Sequence, residues 1–252
     1  MEFEKLSQNQ KKIFASLTSK AKRERTGLFV AEGLKLCKEL IDSDYKADCI
    51  VVRNEASDEA RELAEHYDKR RVKVYRSQNH HFDQIASTNS PQDILAIVKL
   101  KQYEEKIEYP IVVLDSINDP GNLGTIIRTC DWFGFKRIGL FGECADVYNP
   151  KVVRASMGSI FRTKFSKIEN ISDLSPQEIE YYAAVLGSKE NMSEVRTRGE
   201  FAIVLGSESH GISKELLKVC NKRFSIKGRG STESLNVSIA SGIILHHFSD
   251  FL

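Results

Sequence analysis

An α/β fold in two units, the second built on a largely parallel sheet, is what three features of the sequence predict. Strand-like and helix-like segments alternate from Gly27 to the C-terminus. The polar stretch KQYEEKIEYP, residues 101–110, interrupts that alternation and ends in Pro110, which restarts the chain. Three turns that follow apolar strands combine glycine with small polar residues. The expected units are residues 1–105, a small α/β unit, and residues 106–252.

In the first unit, GLFVAEG reads as a strand, LKLCKELI as a helix, CIVV as a strand, EARELAEHY as a helix, and VKVY and ILAIVKL as strands. The second opens with the strand IVVLD. A turn rich in Asn, Asp, Pro and Gly and then a helix follow within SINDPGNLGTIIRTCDWFGF. Next come the strand RIGLF, a helix from about Asn149 through Phe161, the strands YYAAVLG and FAIVLG, a short helix after Ser213, the strand RFSI and a final apolar helix. No internal repeat or low-complexity segment is evident.

The 252 residues can bury a substantial core, and a hydrophobic content of 41% with 29% charged residues sits near globular averages and favours neither a disordered nor a membrane class. The longest apolar runs, such as YYAAVLG, are far short of a bilayer span. The N-terminus MEFEKLSQNQKK lacks the apolar core of a secretory signal, so a cytoplasmic location is expected. Cys37, Cys49, Cys130, Cys144 and Cys220 are scattered without a metal-type pair, which argues against a zinc site or a disulfide framework. The net charge of +2 is uninformative, but its distribution is uneven. Between residues 5 and 25, Lys5, Lys11, Lys12, Lys20, Lys22, Arg23 and Arg25 face Glu24 alone, a local excess of 7 − 1 = +6. Such a run is either a solvated face or a footprint for nucleic acid.

In an open parallel sheet, ligands bind beyond the carboxyl ends of the strands. The turns to read are therefore NDPGNLG, GSESHG and KGRGSTESLN. Gly121 and Gly124 do not complete a GxGxxG fingerprint, nor do Gly228 and Gly230, so a dinucleotide site is excluded. There is no GxxxxGK[ST] and no GxSxG, and His210 has no Ser or Cys nucleophile in a recognisable setting. The pairs His80, His81 and His246, His247 have no carboxylate at metal-ligand spacing and receive no role. No metal is expected.

Taken together and in order, NDPGNLGTIIRT, VLGSESHGIS and SLNVSIASGI resemble the three motifs of the SpoU (TrmH-type) family of RNA 2'-O-ribose methyltransferases. More loosely, GLFVAEGLKL and STNSPQDILAIV are similar to the substrate-binding domain that precedes the catalytic domain in many members. The resemblance implies an α/β domain of the SPOUT type, its C-terminal segment threaded as a deep trefoil knot that binds S-adenosyl-L-methionine, after a small RNA-binding α/β domain. Periodicity shows no such knot.

By position, the resemblance carries active-site roles to Asn122, Arg128, Glu208, Ser234 and Asn236, and cofactor contacts to Gly206, Ile226 and Leu235. Each has a plainer reading: a helix cap for Asn122, a snorkelling surface residue for Arg128, an exposed turn carboxylate for Glu208, strand-end packing for Gly206, Ile226 and Leu235. Ser234 to Asn236 would begin the helix that closes the cofactor pocket, capping it and facing a ligand at once. Arg128 resembles the residue proposed as a base in the family. A guanidinium, a planar cation with five donors and no acceptor, suits better the holding of a phosphate and the stabilising of a developing alkoxide.

With that family in view, Lys11, Lys12, Lys20, Lys22, Arg23 and Arg25 become candidate phosphate contacts to RNA. Ribosomal RNA is favoured over transfer RNA by family habit, as is a homodimer through the first and last helices of the second unit. The final helix fits a dimer, with Val237, Ala240, Ile244 and Phe248 on one stripe and Ile239, Ile243 and His247 on another. A catalytically silent RNA-binding protein of the same fold is the alternative, and five intact motif residues argue against it.

Overall fold

The computed structural model describes residues 3–88, 90–174, 179–197 and 199–252. Its elements run β1 (Glu4–Lys5), α1 (Gln8–Ala15), α2 (Lys20–Thr26), β2 (Leu28–Glu32), α3 (Leu34–Ile41), β3 (Ala47–Arg53), α4 (Asp58–Lys69), β4 (Lys73–Ser77), α5 (Asn79–Ile85) and β5 (Ile94–Lys99). There follow β6 (Ile111–Asp115), α6 (Pro120–Trp132), β7 (Arg137–Phe141), α7 (Pro150–Ala155), β8 (Lys164–Ile168), β9 (Glu180–Ala184), β10 (Phe201–Gly206), β11 (Lys222–Phe224) and α8 (Val237–Ser249).

The first compact unit comprises residues 1–102 and 146–162. Its sheet has the order β1-β4-β3-β5-β2, with β5 antiparallel to both neighbours and the other pairs parallel. Residues Ile94 to Val98 of β5 are all buried, as expected of a strand covered on both faces. The amphipathic α4 buries Ala60, Leu63, Ala64 and Tyr67, one stripe at helical spacing, and opens with Asp58 and Glu59 against its dipole. The basic N-terminal run folds into α1 and α2, whose Phe14 and Leu17 neighbourhood joins a core cluster with Leu6, Val51, Phe82 and Leu95. A capping box between Ser7 and Gln10 starts α1.

Residues 146–162 do not stay with the unit that surrounds them in sequence, so the division differs from a single break at 105/106. The reason is packing. Tyr148 lies 4.8 Å from Phe29, ring to ring, and Phe161 lies 5.4 Å from Tyr45. The buried Arg23 pairs with Asp146, its Nε donating at 3.0 Å. The helix predicted through Phe161 stops at Ala155, because Met157 and Gly158 take left-handed conformations at φ 52° and 98°.

The second unit, residues 103–145 and 163–252, carries a six-stranded, all-parallel sheet of order β11-β9-β10-β6-β7-β8. Its central β6 is buried at every residue. The chain moves outward from β6 through β7 to β8, then returns to build β9, β10 and β11 on the other side, so strand order reverses between β6 and β10. The predicted helix after Ser213 is only a short 3-10 turn at Leu216–Lys218. Helices α6 and α8 pack together, with Gly242 of α8 facing Thr129 of α6. Phe248 of α8 seats among Tyr182, Phe201 and Phe224.

Candidate active site at the strand-order reversal

A parallel sheet offers its ligand crevice where neighbouring strands send their chains to opposite sides. Here that place lies beyond Asp115 and Gly206, which face each other in register at the ends of β6 and β10. Asp115, only 2% exposed, has both carboxylate oxygens engaged. Oδ1 accepts from Ser116 Oγ at 2.9 Å and Oδ2 from Ser213 N at 2.6 Å. The two strand-end loops are thereby tied to one side chain.

After β6, Ser116 turns the chain at φ 57°, and Asp119 caps α6 by accepting from Asn122 N at 2.8 Å, with Pro120 in the first turn. Asn122 is therefore not the cap but stands inside the helix, its side chain directed to the loops that follow β10 and precede α8. After β10, residues 207–211 form a tight hairpin in which Ser207 and Gly211 exchange backbone bonds at 2.9 and 3.2 Å. A Cβ on Gly206 would meet the Gly211 carbonyl carbon at 2.1 Å. The close approach that requires glycine is thus to the protein's own loop, and Gly206→Val would disrupt that loop as well as any ligand contact.

The hairpin carries Glu208 to the N-termini of both helices. Glu208 Oε1 accepts from Asn122 Nδ2 at 3.2 Å, from Val237 N at 3.1 Å and from Asn236 Nδ2. Asn236 Nδ2 also donates to Asn122 Oδ1 at 3.1 Å. Asn236 is the residue that caps α8, its Oδ1 accepting from Ser238 N at 2.9 Å. Sequence motifs more than a hundred residues apart thus meet in one cluster.

Ser234 and Leu235 precede the helix as exposed coil rather than beginning it. Ile226 is half-buried just past β11, and Leu235 is 45% exposed. Arg128 is exposed on α6, six residues beyond Asn122, and forms no hydrogen bond or ion pair with the cluster among the described residues. His210 Nδ1 lies 2.7 Å from Ser209 Oγ, both exposed and adjacent in sequence. No carboxylate orients that imidazole among the described hydrogen bonds, so the pair lacks a hydrolytic triad. Burial pushes up the thiol of Cys144, near the end of β7, and its Sγ lies 3.4 Å from the Leu114 carbonyl oxygen.

The basic residues separate into two kinds. Lys12, Lys20 and Arg25 are exposed, Lys11 and Lys22 half-buried. Arg23 is not available to a phosphate: it is 2% exposed, donates through Nη1 to the Leu17 and Thr18 carbonyls at 2.8 and 2.9 Å, and is neutralised by Asp146. The sequence motifs assign no role to Asp115 or Asp119. An Asp-Pro pair before an apolar helix is a start signal that would have marked Asp119. No local pattern marks Asp115, whose partner lies 98 residues away.

No group of three or more His, Cys, Asp or Glu among the described residues could hold a metal ion. Nor is any described helix long and apolar enough to cross a membrane.

Residues 109–246 match the model of the SpoU rRNA methylase family, and residues 8–96 that of an MRM3-like substrate-binding domain. The 23S rRNA guanosine 2'-O-methyltransferase RlmP of Bacillus subtilis is 28% identical over 245 residues, 96% of each chain. A TrmH-family structure from Porphyromonas gingivalis superposes with a TM-score of 0.85 at 33% identity, covering 96% of this chain and 98% of that one. An AdoMet-bound rRNA methyltransferase from Sinorhizobium meliloti gives a TM-score of 0.85 at 28% identity, covering 100% and 98%. The three sequence motifs, the parallel sheet on which they converge and these likenesses agree: the chain belongs to the SpoU rRNA methylase family.

Proposed function

We propose that this chain is a cytoplasmic enzyme that transfers a methyl group from S-adenosylmethionine to a ribose 2'-hydroxyl of ribosomal RNA. The observation that carries the reading is the convergence of Asn122, Glu208 and Asn236 at the reversal between β6 and β10, with Arg128 exposed on the same helix as Asn122. The named rRNA 2'-O-methyltransferase and the AdoMet-bound relative support the reaction and the cofactor.

The residues present suit that cofactor. A neutral heteroaromatic ring takes apolar contact and backbone hydrogen bonds, and the partly exposed Leu235 and half-buried Ile226 offer apolar surface on irregular backbone. We read the segment from β11 through α8 as the part threaded in a deep trefoil knot. When bound, the cofactor supplies an electrophilic sulfonium methyl. The chain's task is then alignment, since a well-oriented pair reacts with effective molarities of about 10⁵ M or more. Arg128 holds an RNA phosphate in its planar fork and stabilises the charge that develops as the ribose 2'-hydroxyl gives its proton to solvent water. Ser234 adds a hydroxyl on the cofactor side. Exposed Lys12, Lys20 and Arg25, with Lys11 and Lys22, supply RNA affinity through phosphate contacts.

A homodimer belongs to the same reading. Trp132 at the end of α6 is 83% exposed and Ile239 of α8 57%, an apolar surface on helices already packed together. Calorimetry tests the assignment: S-adenosylmethionine should bind saturably and NAD should not. The reverse result would overturn it, and cofactor binding without methyl transfer to any unmodified rRNA would favour a silent RNA-binding protein.

A further inference from the structure

Asn122, Glu208 and Asn236 spend much of their hydrogen-bonding capacity on one another. A carboxylate oxygen has about two lone-pair sites. Glu208 Oε1 already faces three donors: Asn122 Nδ2 from α6, Asn236 Nδ2 and the Val237 amide, the first N–H of α8. Asn236 is likewise committed, its Oδ1 capping α8 and its Nδ2 divided between Glu208 and Asn122. On α6 the backbone of Asn122 is held by Asp119. One oxygen therefore ties the first turns of two helices, whose aligned N–H groups favour a negative charge at that point.

We propose that Glu208 is a positioning residue rather than a proton-transfer group: one carboxylate oxygen clasps the first turns of α6 and α8, so that Arg128 on α6 and Ser234 and Leu235 before α8 keep a fixed relation. What those two sides bind rests on the reading above, but the clasp does not. A carboxylate that moved a proton through Oε1 would have to give up the Val237 amide at the start of α8 and the two asparagine side chains that link it to α6. A positioning role asks only that an acceptor oxygen remain.

The substitutions Glu208→Gln and Glu208→Ala separate the two roles, because glutamine keeps an acceptor oxygen and cannot carry the proton. With ribosomal RNA from cells lacking the protein and saturating S-adenosylmethionine, E208Q should turn over within about tenfold of the parent, while E208A should lose about 100-fold, the cost of a small misplacement. The pH dependence of the E208Q single-turnover rate should match the parent's. Hydrogen exchange reports the clasp without any turnover: amides at 121–124 and 237–241 should exchange faster in E208A and at the parental rate in E208Q. E208Q as inactive as E208A with parental exchange would overturn the proposal, as would parental exchange in E208A. If E208A does not fold, E208Q alone decides by the same rate and exchange criteria. A parent that transfers no methyl group would refute the enzyme assignment, and the exchange comparison would still judge the clasp.

Discussion

At the scale of the residue, exposure divides the basic side chains into those that can act on a ligand and those that hold the fold. Arg128 is exposed on α6 and belongs to the first kind. Arg128→Ala should abolish methyl transfer with fold and cofactor binding intact. Arg128→Lys keeps the charge but loses the planar fork, and should cost about 3 kcal/mol of transition-state stabilisation. Single-turnover rates at saturating RNA and cofactor read this directly, and rates within a few-fold of the parent for both variants would leave Arg128 a surface residue. The thiols of Cys37, Cys49, Cys130 and Cys220 are buried. Burial pushes Cys49 up to about 12 and Cys220 up to about 11 from an ordinary 9.0, and raises Cys37 and Cys130 as well. Above pH 9 the unfolded chain sheds these protons and the folded chain keeps them, so stability should hold below about pH 9 and fall as pH rises through 11 to 12. Urea midpoints between pH 8 and 11 check this, and the Cys49→Ala, Cys220→Ala double variant should show a shallower fall.

At the scale of the element, what matters is how a helix begins. α8 starts at Val237 because Asn236 caps it, and the same side chain reaches Glu208 and Asn122. Loss of an N-cap alone costs about 1 kcal/mol. Asn236→Ala should therefore lower stability by at least that much and lower turnover too, whereas Asn236→Asp keeps the cap but sets a carboxylate against Glu208. Denaturant midpoints should rank the parent above both variants; an alanine variant with parental stability would show that the cap is dispensable. The N-terminal basic run belongs to this scale as well. Because it is built into α1, α2 and the core through Leu6, Phe14 and Leu17, deleting residues 1–25 would break the first unit rather than test its charge.

For the whole molecule, the informative changes are those on exposed surface. Replacing Lys12, Lys20 and Arg25 with alanine should leave cofactor affinity unchanged and weaken RNA binding, flattening the dependence of log K on log salt by about 0.7 to 0.9 per lost contact. An unchanged slope would mark these residues as a solvated face. Sedimentation at micromolar concentration should show a dimer, and Trp132→Glu should yield monomers. A monomeric parent would refute the association reading for α6 and α8.

The sequence by itself determined the alternation of strands and helices, since β2, α3, β6, β10 and α8 are local patterns of period and turn chemistry. It also displayed the three motifs, because each is contiguous. Their meeting was a matter of tertiary structure. Glu208 and Asn122 lie 86 positions apart and are joined only because β6 and β10 are sheet neighbours at a reversal of strand order that no local period encodes. The same holds for Arg23, whose charge looks like that of its neighbours in sequence until Asp146, 123 positions on, removes it from solvent. Local propensity is set by a few adjacent residues, whereas burial and pairing are set by which distant surfaces close against one another. The one is written along the chain, and the other exists only once the chain has folded.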